Sequence, residues 1–125
     1  MHVLRNMLDA VEPGGLVLDL QVIRPNPVVE AGAKKVCEID GEPLFELADA
    51  ARAAVDAAIA AGRVVEEAVD DHDVRKHYPG GADLVNDFIG KKRQPPQEAL
   101  PRLHSLAEPV TLRERCRLRR LRVVG

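Results

Sequence analysis

The stretch "VEPGGLVLDL", residues 11–20, joins a helix exit, a glycine turn and a strand within ten residues. Upstream, Val3, Leu4, Met7, Leu8 and Val11 recur at helical spacing, so residues 2–11 are expected to form an amphipathic helix that ends before Pro13. Gly14-Gly15 supplies permissive backbone for a tight reversal. Downstream, "LVLDLQVI" (16–23) is an apolar run rich in branched residues, the pattern of a strand covered on both faces. Asp19 is its one charge, either a buried carboxylate that needs a partner, with an arginine of the last strand as the expected one, or a residue pointing into an edge or cleft.

Beyond this strand, "RPNPVVEAGA" (24–33) carries two prolines and is expected to be loop, while residues 33–39 suit either a short strand or the approach to the next helix. "PLFELADAARAAVDAAIAAG" (43–62) predicts the clearest helix, opened by Pro43 and stopped by Gly62, with an apolar stripe of Leu44, Leu47, Ala48, Ala51, Val55, Ala58 and Ile59. "RVVEEAV" starts a strand that continues through "DHDVRKHY" after an irregularity at Asp70-Asp71, and Pro79-Gly80-Gly81 closes it. Residues 82–90 predict a short helix with Leu84, Val85, Phe88 and Ile89 inward, and residues 97–107 a second one starting near Pro101. In "VTLRERCRLRRLRVV" (110–124), Val110, Leu112, Cys116 and Leu118 alternate with Arg113, Arg115, Arg117 and Arg119, which favours a strand. Thr111 with Glu114 is a capping-box pattern that favours a helix instead, and the alternation is preferred.

A chain of 125 residues is read as a single domain. Aromatic residues are 2% of the total, so there is no stacking platform for bases or sugars. Cys37 and Cys116 stand far apart and outside any C-x-x-C, which argues against zinc and against a disulfide framework, and suits a cytoplasmic protein. No apolar run approaches the ~20 residues of a membrane span, so no membrane association is expected. Charge is uneven: residues 1–90 hold 8 Lys/Arg against 17 Asp/Glu (−9), and residues 91–125 hold 10 against 3 (+7). In "DDHDVRKHY", His72 and His77 are five apart, a spacing that neither a strand nor a helix turns into a ligand pair.

The order of helix, "EPGGLVLDL", helix 44–61, acidic strand and closing "RERCRLRRLRVV" strand resembles the C-terminal half of a class I S-adenosylmethionine-dependent methyltransferase. The resemblance makes Pro13-Gly14-Gly15 the turn into the fifth strand (16–23), residues 63–78 the sixth, residues 110–123 the seventh, and residues 82–107 an insertion. It implies an α/β fold, α+β as an isolated piece: half of a Rossmann-like sheet, with three strands, one parallel pair with an antiparallel strand inserted, and about four helices. It also implies S-adenosylmethionine as cofactor, but the chain has no G-x-G-x-x-G or looser glycine loop, so no cofactor is expected to bind this chain alone. Methyl transfer is then expected only if a complementary N-terminal half completes the site; the alternative is a non-catalytic homodimer or a small-ligand-binding protein.

His72, His77 and Tyr78 are the substrate-pocket candidates that the resemblance implies. Glu66, Glu67, Asp70, Asp71 and Asp73 are expected to lie across from Arg113, Arg115, Arg117, Arg119, Arg120 and Arg122, which gives the basic tail an internal partner and argues against nucleic-acid binding. In the family a fourth strand flanks the fifth. The edge Leu16, Val17, Leu18, Asp19, Leu20 and Val22 is therefore expected to seek a partner: a second copy or the complementary half.

Overall fold

The computed structural model describes residues 2–124, with the side chains of His2, Val3 and Arg5 outside the description; the expected inward position of Val3 falls there. Helix α1 spans His2–Ala10, with Leu8 buried and Met7 exposed. The turn that follows is built as its residues dictate. Gly15 N–H donates to the Glu12 carbonyl at 2.8 Å, with Pro13 and Gly14 (φ +82°) between them, a type II turn that only glycine fits easily at its third position. Gly14 N–H donates to the Val123 carbonyl and Val123 N–H to the Gly15 carbonyl, so both glycines oppose one residue in a G1 bulge that opens strand β1, Leu16–Val22. A side chain on Gly15 would collide with Val11 and Glu12.

Strand β2 (Val28–Ala31) and strand β3 (Lys34–Glu38) form a hairpin, turned by Gly32 at φ +61° and Ala33. Helix α2 (Leu44–Ala60) ends in a Schellman motif: Arg63 N–H reaches the Ala58 carbonyl and Gly62 N–H, at φ +75°, that of Ile59. Strand β4 runs Val64–Tyr78, followed by helix α3 (Gly81–Asp87), a 3₁₀ turn at Gln97–Ala99 that leads into helix α4 (Leu100–Ser105), and strand β5 (Val110–Val123).

This sheet corrects the expected one. Among the described residues it has five strands rather than three, and none of its pairings is parallel. β5 is antiparallel to β1, with Leu16 opposite Arg122 and Val22 opposite Cys116, and to β2, with Val28 opposite Arg113. It also pairs with β4, where contacts of Asp73, Asp71 and Glu67 with Arg115, Arg117 and Arg120 run in reverse order. The architecture is α+β with an antiparallel sheet. The expectation failed because the segment read as a proline loop and residues 34–38 form a hairpin, whose strand β2 pairs with β5 as well, so that the sheet gains two strands and holds only antiparallel pairings.

The chain divides into two compact units, both of which draw on β4 and β5. The first comprises Met1–Ile23, Glu46–His72 and Cys116–Gly125, with a core of Leu8, Val17, Val55, Ala58, Val64, Leu121 and Val123. The second comprises Arg24–Phe45 and Asp73–Arg115, with a core of Val29, Ile39, Tyr78, Leu84, Phe88, Ala99, Leu103, Val110 and Leu112. Buried β5 residues are thus even-numbered in the second unit and odd-numbered near the C-terminus, a change of parity that the sequence pattern did not reveal. Two inward assignments also fail: Leu47 is 56% exposed on the outer side of α2, and Ile89 is 72% exposed because α3 ends at Asp87 and residue 89 lies in the turn beyond it.

Candidate functional site

The three pocket candidates do not come together. His72 belongs to the first unit, where Nδ1 lies 3.0 Å from Asp70 Oδ2, close enough for an ion pair but not aligned as a hydrogen bond. His77 and Tyr78 belong to the second, and as strand neighbours they point to opposite sides. His77 Nδ1 meets the Thr111 hydroxyl at 3.0 Å. Tyr78 is buried and donates to Asp87 Oδ2 at 2.6 Å, and Lys76 Nζ meets the same oxygen at 3.0 Å.

Burial, and then the bond to Asp87, push the Tyr78 phenol well above its ordinary value near 10. The hydrogen bonds from Tyr78 and then Lys76 hold the Asp87 carboxyl down at about 2. Tyr78 therefore works as a structural donor and not as an acid or base at neutral pH. The sign for stability follows: a depressed carboxylate stabilises the fold above its unfolded value near 4 and loses that contribution as pH falls through about 2. Tyr78→Phe is expected to lower the melting temperature at pH 7 by a few degrees, with the gap to wild type narrowing between pH 4 and pH 2 in calorimetric scans. A gap constant with pH would show that Asp87 is not its origin.

The charged ladder does form. In the first unit Arg117 donates twice to Asp71, at 2.8 and 3.0 Å, and Arg120 and Arg122 both donate to Glu67. Those bonds hold the Glu67 carboxyl below the usual range, the one from Arg122 first. In the second unit Arg115 and Arg113 share Asp73, and Arg113 also bonds Glu30 at 2.9 Å. Asp70 faces His72 rather than an arginine. The partner expected for Asp19 is also corrected. Asp19 stands opposite Arg119 in register, yet Arg119 donates to Glu66 and to Asp56. Asp19 Oδ1 instead accepts from Gln21 Nε2 at 3.0 Å, while its Oδ2 is shut off from solvent without a hydrogen bond.

A cleft of about 540 Å³ in the second unit is lined by Asn26, Lys35, Val36, Cys37, Glu98 and Arg102 among others. Burial raises the Cys37 thiol, with Arg102 and Lys35 opposing only in part, so this cysteine is no activated nucleophile. Among the described residues no group of three or more His, Cys, Asp or Glu side chains is arranged to hold a metal ion, and no helix is long and apolar enough to cross a membrane.

The edge strand has clearer features. β1 bonds to β5 on one side and to no other strand among the described residues. Val17 is buried, whereas Leu16, Leu18 and Leu20, on the other face of the strand, are 39%, 59% and 55% exposed. Because Gly15 bonds with Val123, the narrow pairs of the ladder fall on odd-numbered β1 residues. The N–H and C=O groups of Leu16, Leu18, Leu20 and Val22 therefore point to the open edge.

Elsewhere the sheet borders carry charge, in Lys34, Lys35 and Glu38 of β3 and in the acidic and basic run of β4. Charges on an edge discourage pairing with another chain, and β1 has only Asp19. The composition of residues 16–22 was a legible signal for this edge; which backbone groups face outward was not. Comparison of the chain with protein families, with curated proteins and with solved structures finds no match.

Proposed function

We propose that this chain is a non-catalytic interaction protein that forms a homodimer through β1. The observation that carries the reading is the contrast in charge between edges: three exposed leucines with Asp19 as the single charge on β1, against a charged β3 and a β4 whose exposed Val65, Val69 and Val74 stand among acidic and basic side chains. The arginines of β5 are engaged by carboxylates of their own unit, which supports a protein partner over nucleic acid. Cys37 and Cys116, far apart and outside any C-x-x-C, fit a reducing compartment, the cytoplasm. The methyltransferase resemblance draws no support from an antiparallel sheet, and calorimetric titration with S-adenosylmethionine is its own separate test.

Sedimentation velocity across a concentration series tests the homodimer. The wild-type chain is expected to pass from monomer to dimer as concentration rises, and Leu18→Lys to stay monomeric with its melting temperature preserved, since Leu18 is 59% exposed. A wild-type chain that stays monomeric throughout the series refutes the proposal, and so does a Leu18→Lys variant that dimerises as well as wild type.

A further inference from the structure

We infer that the second copy docks antiparallel with its two-fold axis at Leu20, and that Asp19 and Gln21 are the residues that select this register. The inference rests on the homodimer proposed above. The outward-pointing groups all belong to even-numbered residues, so an antiparallel copy must set even opposite even, and the exposed apolar face continues from one copy into the other. Three registers then pair at least five residues of Leu16–Val22, with the axis at Leu18, Asp19 or Leu20.

The odd-numbered residues discriminate among them. An axis at Asp19 puts two carboxylates face to face in a wide pair, where side chains approach most closely, and like charges there repel. An axis at Leu18 sets Asp19 against the partner's Val17, a residue 5% exposed that has nothing to donate. An axis at Leu20 sets Asp19 against the partner's Gln21. The Gln21 amide has two N–H donors, and one already reaches Asp19 Oδ1 of its own chain at 3.0 Å. The second is available to the facing carboxylate, so two Asp19–Gln21 couples flank the axis symmetrically. On the other face Leu20 meets the partner's Leu20, and Leu18 meets the partner's Val22.

Cysteine scanning tests the register. At an axis on Leu20 the facing Cα atoms of that narrow pair are about 5.5 Å apart, within the range a disulfide spans. The two copies of residue 18 are then four residues out of step, about 13 Å apart. Under mild oxidation Leu20→Cys is expected to give mostly disulfide-linked dimer on a non-reducing gel, and Leu18→Cys no more than the wild-type background. In addition, Gln21→Glu is expected to weaken the dimer about tenfold by facing Asp19 with a second carboxylate. A dimer that links through Leu18→Cys and not Leu20→Cys, or that is indifferent to Gln21→Glu, overturns the register and leaves the homodimer standing. A dimer that links through neither overturns β1 as the interface, and a wild-type monomer overturns both inferences.

Discussion

Gly81→Ala is expected to lower the free energy of unfolding by about 3 kcal/mol, a large effect for one methyl group. Gly81 is the first residue of α3, and its N–H donates to the Leu106 carbonyl at 2.9 Å. A Cβ placed there would lie 1.9 Å from the Leu103 carbonyl oxygen and 2.8 Å from its carbon. These are backbone atoms of α4, so no rotamer change relieves the overlap. Leu84 and Leu103 are both fully buried, and forcing the helices apart would loosen the core they share. Gly80→Ala is the control: its nearest contact is 3.1 Å, so a small shift suffices and the expected loss is under about 1 kcal/mol. Urea titration monitored by far-UV circular dichroism measures both, and equal midpoints for Gly81→Ala and wild type would show that α3 and α4 do not approach so closely.

The second large effect is expected at Arg119, which is 7% exposed. Its guanidinium donates to Glu66 and, at 2.9 Å, to Asp56. Arg119→Ala removes two charge-assisted bonds and leaves Glu66, at 30% side-chain exposure, without its guanidinium donor. Loss of one partner from a fully buried pair costs more than a hydrogen bond, but Asp56 is 59% exposed and regains water. About 2–3 kcal/mol is the expected loss at pH 7. Arg119→Met keeps the packing of the aliphatic stem and should recover part of it, which separates packing from charge. If alanine and methionine variants melt with wild type, the guanidinium is a surface group held by chance.

Much of the local structure was legible. "EPGG" specified a turn because proline fixes φ and only glycine is at ease at φ +82°, and Gly62 specified the end of α2 for the same reason. The cross-strand charges were legible because β4 is acidic and β5 basic, whichever arginine meets which carboxylate. The β2–β3 hairpin was missed. Its prolines at 25 and 27 argue for loop, and it is pairing with β3 on one side and with residues 111–113 on the other that makes Val28–Glu30 a sheet strand. His72, His77 and Tyr78 were pocket candidates through the resemblance alone; their spacing already argued against a shared face, because an extended strand sends neighbours, and residues five apart, to opposite sides. The ligand of Asp19 was misassigned for a related reason. Register brought it opposite Arg119, but that guanidinium is drawn to two other carboxylates.

By itself the sequence determined the turns, the helix ends, the amphipathic alternation and the opposition of charge, because each depends on a residue's own backbone preference or on neighbours within a few positions. Only the tertiary structure decided that the pairings of the described strands are antiparallel, that the buried parity changes along β5, and that the outward-facing backbone groups of β1 belong to its leucines and Val22. Those outcomes depend on register between strands up to 106 positions apart, Leu16 against Arg122, and one residue of slip would exchange the two faces of every strand involved.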